Sequence, residues 1–325
     1  VRDRIQEEKV MKKKVFIDGS EGTTGLRIFE RFESRDDIEL LKIPSELRKD
    51  PVEVKKYINE SDITFLCLPD AAAREAVAMV ENENTIILDT STAHRTEAGW
   101  AYGYPELSAA HREAIRTGKR IAVPGCYATG FITTAYALTA GGILPKDYPV
   151  SAFAVSGYSG GGKKMIAQYQ AQDKEKELSS ARLYALSQSH KHLKEMKAIS
   201  GLERTPLFSP MVTDYYSGMT VSLTFYADML NGRQTPETVR EYLAKHYAGE
   251  KFITVQPLGA EAESGGVLFS SARSGWDGLE IYVTGNEDRI MVTTRFDNLG
   301  KGASGAAIQC MNIVLGCEED KGLTV

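Results

Sequence analysis

Between residues 14 and 123 short apolar runs alternate with stretches of helical spacing, and no other feature of this 325-residue chain narrows its fold so far. Strand signals fall at 14–18, 38–43, 63–68, 85–89 and 120–123, and helical ones at 26–32, 52–58 and 71–80. The strand runs are continuously apolar, as Ile86-Ile87-Leu88 shows, so both faces of the sheet must be covered. Helices between successive strands supply that cover and impose parallel connections. Asp50-Pro51 marks one helix start, with proline at the first helical position.

After Pro149 the texture changes. Residues 150–155 read as a strand, and Ser156-Gly157-Tyr158-Ser159-Gly160-Gly161-Gly162 as a loop too glycine-rich for a regular element. The runs 220–226, 278–284 and 290–296 alternate, which predicts an antiparallel sheet with one face in water. Residues 126–145 carry no charge, but four threonines and three glycines argue for a buried helix over a membrane span. Residues 302–315 read as a helix of small residues. The expected division is an extension at 1–10 before Met11, a dinucleotide-binding domain at 11–125, a catalytic and oligomerisation domain at 126–297, and a segment at 298–325 whose helix returns to the first domain.

With 42% apolar and 26% charged residues the composition excludes disorder, and 39 cationic against 44 acidic side chains, a net charge of −5, give no footprint for nucleic acid or an anionic membrane. The cysteines at 67, 126, 310 and 317 form no C-x-x-C pair and no zinc-type cluster. Reduced thiols in a cytoplasmic protein without a metal are the expectation.

Gly19-Ser20-Glu21-Gly22-Thr23-Thr24-Gly25 follows the first strand and opens a helix. Glycines there permit a tight turn and bring a pyrophosphate close to the helix N-terminus. An acid that binds the ribose 2′-hydroxyl of NAD is missing from the tip of the second strand, where Ser45, Arg48 and Lys49 suit the 2′-phosphate of NADP instead.

Cys126, in Pro124-Gly125-Cys126-Tyr127, follows a strand and begins a helix, a place whose backbone N–H groups favour thiolate and can hold an oxyanion. A cysteine nucleophile needs a base. In Ser189-His190-Lys191-His192-Leu193-Lys194-Glu195 the spacing sets Glu195 one helical turn from His192, so that the carboxylate orients the imidazole. His94 lies just past the fourth strand, while His111 and His246 sit among polar helical residues. Arg95 stands at the carboxyl edge of the sheet, where it can clamp a phosphate or carboxylate. Asp297-Asn298-Leu299-Gly300-Lys301-Gly302 can offer an amide to a nicotinamide.

Together with Ser91-Thr92-Ala93-His94-Arg95 and the segment 156–162, and in this order, these motifs resemble the shorter form of the N-acetyl-γ-glutamyl-phosphate reductases of arginine biosynthesis. The resemblance runs from about Met11 to the C-terminus. It implies a glyceraldehyde-3-phosphate-dehydrogenase-like α/β fold, a Rossmann-type NADP-binding domain followed by an α+β catalytic domain. It also implies NADPH-dependent reductive dephosphorylation of a small acyl phosphate through a thioacyl enzyme, in a homodimer or homotetramer. Cys126 matches the nucleophile; His192, or its neighbour His190, the acid/base; Glu195 its partner; Arg95 and Ser156 substrate-side positions; and Asn298 a nicotinamide-side position. Lys194 departs from the family, which often has proline there. Aspartate-semialdehyde dehydrogenase chemistry, an aminoadipyl-phosphate substrate and a non-catalytic NADP-sensing regulator are the competing readings.

Overall fold

The computed structural model describes residues 12–325; the segment 1–10 and Met11, read above as an extension and a start, lie outside the described residues. The chain begins β1 (Lys13–Asp18), α1 (Thr23–Phe32), β2 (Ile38–Leu41), α2 (Pro51–Glu60), β3 (Ile63–Leu66), α3 (Asp70–Ala78), β4 (Ile86–Asp89), β5 (Ala101–Tyr102), α4 (Ala109–Thr117) and β6 (Arg120–Ala122). Its strands form one parallel sheet in the order β2-β1-β3-β4-β6-β5. The order turns back between β1 and β3, and that switch point opens a crevice at the strands' carboxyl ends. The expected strands and helices are present with ends displaced by one to three residues. Two elements of this half received no bounds from the sequence: β5 has only two residues, and α4, which carries His111, buries only Ile115, so its apolar stripe is almost blank.

Cys126 then opens α5 (Cys126–Ala140), followed by β7 (Ser151–Gly157), α6 (Gly162–Gln170), β8 (Arg182–Leu183), α7 (Leu193–Ser200), β9 (Leu207–Thr213), β10 (Met219–Tyr226), α8 (Pro236–His246), β11 (Ile253–Val255), β12 (Leu279–Gly285), β13 (Arg289–Phe296) and α9 (Gly305–Leu315). The second sheet runs β11-β12-β13-β10-β7-β9-β8. It is mixed rather than antiparallel throughout, because β7 pairs parallel with β9 and β11 with β12. No described helix is long and apolar enough to cross a membrane. Instead α5 is buried almost all round against this sheet. Gly130 allows the close approach: a methyl group there would stand 2.6 Å from Val221 Cγ2 and Thr294 Oγ1. Phe131, fully buried between the two layers, accounts for about 3–5 kcal/mol by the usual cost of its truncation.

The opposite face of that sheet is largely polar, although Phe153 and Leu207 stand exposed on it, and its centre is not wet. Ser222 and Thr293 share a 2.8 Å hydrogen bond, and Arg295 reaches Glu280 at 2.9 Å and the Tyr282 hydroxyl at 2.6 Å. The glycine-rich run is also more ordered than its composition implies. It ends β7, makes one tight turn at Tyr158–Gly161 and starts α6, with Gly162 at φ +73°. A five-residue π-turn, Gly300–Ser304, leads into α9. Residues Ala306 to Ile313 of α9 pack with Val15 and Leu88 of the first sheet and with Ile28 of α1. Lys301 anchors this turn from inside: its Nζ donates to Glu106 Oε1 and Gln309 Oε1, each at 2.6 Å, while lying over the Tyr104 and Phe252 rings.

Candidate active site

A cleft of about 500 Å³ lies outside the carboxyl ends of β1, β3, β4 and β6 and is closed on its other side by residues following β7 and β13. Four helices begin at its wall: α1 at Thr23, α3 at Asp70, α5 at Cys126 and α6 at Gly162. Their free N–H groups make the cleft receptive to anions. Gly19 takes φ +82°, and any side chain there would strike the Cys67 carbonyl, so the turn at the switch point needs glycine. The Gly22 N–H donates to Gly19 O at 2.9 Å, and a methyl group on Gly25 would collide with Gly19. Thr23 Oγ1 is buried and has no partner among the described residues. An orphaned hydroxyl beside a cradle that tolerates no Cβ fits the pyrophosphate of a dinucleotide.

Next to the glycine loop is a recess of about 290 Å³ lined by Asp18, Glu21, Ile43, Arg48 and Lys49. The two expected cations are therefore in place, with Arg48 paired to Glu21. Ser45 is not; it lies on the exposed turn after β2 and does not line the recess. The two carboxylates went unnoticed in the sequence because they come from β1 and the glycine loop rather than from the tip of β2. Burial pushes the Asp18 carboxyl up to about 6.

Cys126 sits at the floor of the cleft, where α5 begins. A methyl group on Gly125 would strike the His192 ring and stand 2.5 Å from Arg95 Nη1, so two candidate side chains crowd around the glycine that precedes Cys126. From the opposite side Gly302 presses on the cysteine; a Cβ at 302 would be 2.9 Å from Cys126 Cβ. Burial pushes the Cys126 thiol up to about 11, against the Tyr127 N–H and the charges of Lys191 and Arg95. The helix end thus does not deliver a resting thiolate, because desolvation outweighs it. Burial also holds His192 well below the usual imidazole range, helped by the charges of Arg95 and Lys191, and brings His190 down to about 4. At neutral pH the site holds a thiol and two neutral imidazoles.

Glu195 does not orient His192. It makes no hydrogen bond to the imidazole and instead accepts at 2.6 Å from Arg95 Nη1, 2.8 Å from the Tyr102 hydroxyl and 3.3 Å from the Gly125 N–H. His192 Nδ1 is buried without a partner among the described residues. The His192 backbone N–H donates to His190 Nδ1 at 3.1 Å, which leaves the proton of neutral His190 on Nε2, 3.4 Å from the Tyr184 hydroxyl. Arg95 uses one donor from each of its three nitrogens: beyond Glu195 it donates to Val123 O at 2.8 Å and Thr90 O at 2.9 Å, which leaves one N–H on each Nη.

Ser156 and Asn298 both line the cleft. Asn298 Nδ2 donates to Ser159 Oγ at 3.0 Å, and its Oδ1 accepts from Gly218 N at 2.9 Å, so the amide also ties the glycine-rich turn in place. His94 turns away, with Nδ1 2.6 Å from Asp89 and its ring stacked on Trp100. Sequence reasoning gave no role to Lys191, whose place between the two histidines was its only signal, or to Gly302, whose only signal was its place at the end of the Asp297 loop. Among the described residues no group of three potential ligands gathers as a metal site.

Comparison with known proteins gives a consistent picture. The semialdehyde dehydrogenase NAD binding domain matches residues 5–116, and the semialdehyde dehydrogenase dimerisation domain matches residues 126–298. The chain is 43% identical to N-acetyl-gamma-glutamyl-phosphate reductase 2 of Nostoc sp. (strain PCC 7120) over 96% of its own length and 99% of the relative's. It is 44% identical to N-acetyl-gamma-glutamyl-phosphate reductase of Brucella ovis over 94% and 100%. Among solved structures, aspartate semialdehyde dehydrogenase from Francisella tularensis superposes with a TM-score of 0.71 at 15% identity, covering 94% of this chain and 100% of that one. Aspartate semialdehyde dehydrogenase II from Vibrio cholerae gives 0.70 at 15%, covering 94% and 99%. At that identity the two structures speak for the fold alone.

Proposed function

This chain belongs to the semialdehyde dehydrogenase family, among its N-acetyl-γ-glutamyl-phosphate reductases, and we propose from that premise that it converts N-acetyl-glutamyl 5-phosphate to N-acetyl-glutamate 5-semialdehyde with NADPH, in arginine biosynthesis. The observation that carries the residue assignments is the meeting at Gly125 of Cys126, His192 and Arg95 beside the glycine cradle.

Cys126 Sγ attacks the acyl carbon, and the bond from that carbon to the phosphate oxygen breaks. His192, neutral at rest, accepts the thiol proton and passes it to the departing phosphate. Backbone N–H groups at the start of α5 stabilise the tetrahedral oxyanion. The nicotinamide, when bound, supplies the hydride that reduces the thioacyl carbon. His192, reloaded with a proton from solvent, gives it to the alkoxide. As the carbon–sulfur bond breaks, the hydroxyl proton returns to sulfur and the aldehyde leaves. Lys191 and Arg95 attract the phosphate, Ser156 lies on the substrate side, and Thr23, Thr24 and the glycine loop receive the pyrophosphate, with Arg48 and Lys49 at the 2′-phosphate and Asn298 on the nicotinamide side.

A homodimer through the second sheet accompanies this reading, supported by the match of residues 126–298 to a dimerisation domain and by exposed Phe153 and Leu207 on that sheet. Light scattering then gives twice the chain mass, or four times it if dimers pair. Four free cysteines suit work in the reducing cytoplasm. The test is the reverse assay: protein, phosphate and NADP with the semialdehydes of N-acetyl-glutamate, aspartate and aminoadipate in parallel, read at 340 nm. Phosphate-dependent NADPH formation with the glutamate compound, lost in Cys126→Ser, is expected. Preference for another aldehyde refutes the substrate, and retained turnover in Cys126→Ser refutes the nucleophile.

A further inference from the structure

The recess beside the glycine loop holds two carboxylates and two cations within about 290 Å³. A pocket built only to receive a 2′-phosphate has no use for Asp18 and Glu21. Glu21 belongs to the cradle itself, two residues after Gly19, and its carboxylate is paired with Arg48 across the mouth of the recess. Both partners remain partly exposed, Arg48 at 39% and Glu21 at 56%, so the pair is held weakly and can exchange.

We propose that Glu21 sets the discrimination between NADPH and NADH by competing with the cofactor's 2′-phosphate for Arg48. The proposal rests on the reading that Arg48 and Lys49 receive that phosphate. A 2′-phosphate must draw Arg48 away from Glu21 and then lies near a carboxylate that has lost its cation. A 2′-hydroxyl makes no such demand: it leaves the ion pair intact and can donate to Glu21. The penalty therefore falls on NADPH alone. Lys49, in the same recess without a carboxylate partner among the described residues, remains available to the phosphate.

The experiment measures equilibrium binding of NADPH and NADH to the whole protein by nicotinamide fluorescence, without turnover, for the parent, Glu21→Gln, Arg48→Ala and the double variant. Glu21→Gln is expected to tighten NADPH threefold to fivefold, about the span of an exposed pair, while NADH stays unchanged or weakens. In the Arg48→Ala background that gain should shrink toward onefold, as coupled residues do in a double-mutant cycle. Equal tightening in both backgrounds overturns the proposal, because Glu21 would then act by general repulsion. Weaker binding of both cofactors overturns it too, and marks Glu21 as a scaffold of the loop. Arg48→Ala should lower the NADPH-to-NADH preference about tenfold. If it leaves that ratio untouched, the 2′-phosphate assignment fails and this proposal with it.

Discussion

Replacing Glu195 with glutamine separates two roles that the sequence could not. In the structure Glu195 is almost fully buried and accepts three hydrogen bonds, from Arg95, Tyr102 and the N–H of Gly125. Glutamine keeps one acceptor oxygen. If that oxygen stays on Arg95, the amide nitrogen opposes the Gly125 N–H, donor to donor. The buried guanidinium also loses its counter-charge. Removing one partner of a buried pair costs about 3–5 kcal/mol, and the stranded N–H overlaps with that figure instead of adding to it. The expected result is a urea midpoint lowered accordingly at unchanged slope. The Glu195 charge also raises the Cys126 thiol. Its loss should therefore speed alkylation of Cys126 by iodoacetamide, followed on the Cys126 peptide by mass spectrometry. Tyr102→Phe, which removes a single bond to the same carboxylate, is the milder companion, at about 1 kcal/mol. A Glu195→Gln protein as stable as the parent, with only its pH–rate profile changed, would refute this account and return Glu195 to the imidazole.

His192→Asn should lower the reductase rate about 10²-fold or more, and His190→Asn less, because His192 packs on Gly125 while His190 holds the His192 backbone; the reverse ranking in steady-state assays exchanges the roles. Gly302→Ala puts a methyl group 2.9 Å from Cys126 Cβ, so kcat should fall at least tenfold with NADPH binding retained; unchanged kcat shows that the π-turn yields freely. Asp18 binds its proton more tightly in the fold, at about 6 against 3.8, so its contribution to stability is complete below pH 3.8 and is lost as pH rises through 6. Asp18→Asn should thus stabilise the protein by up to about 3 kcal/mol at pH 7 and by nothing near pH 3.5, measured by urea unfolding at both. Alkylation of Cys126 should still be accelerating with pH above 9, since its thiol titrates near 11; a plateau below pH 8 would mean a resting thiolate.

The architecture was legible where the chain writes it locally. Continuous apolar runs fixed the parallel sheet, and the glycine spacing fixed the cradle. Elements held by tertiary contact left no such trace. β5 exists because two residues meet β6, and the glycine-rich run is ordered by the carbonyls of Tyr215, Tyr216 and Gly218, which accept from the N–H groups of Tyr158, Ser159 and Gly157 far away in the chain. At the site, Cys126 and the histidines were readable from motif and position. The partner of Glu195 was not, because a three-residue spacing says that two side chains share a turn and does not say what stands on the other side. Arg95 lies one hundred residues earlier in the chain.

On the proposed mechanism, the same burial that conceals the thiol explains why the site would need its histidine. With Cys126 near 11, forming thiolate at pH 7 costs about 5 kcal/mol, so a nucleophile made by the helix end alone would be scarce. A neutral imidazole beside it removes the need for a standing thiolate, since the proton can leave as the carbon–sulfur bond forms. An acyl phosphate is activated enough to be attacked this way. Arg95 and Lys191 contribute twice over: their charges lower both the thiol and the imidazole. They ease loss of the proton from sulfur and keep His192 unprotonated and ready to take it. A more exposed site would have a lower thiol and a more basic histidine, and it would also admit the water that hydrolyses a thioacyl enzyme. On this reading desolvation, which makes the first proton transfer harder, also protects the proposed intermediate until hydride arrives.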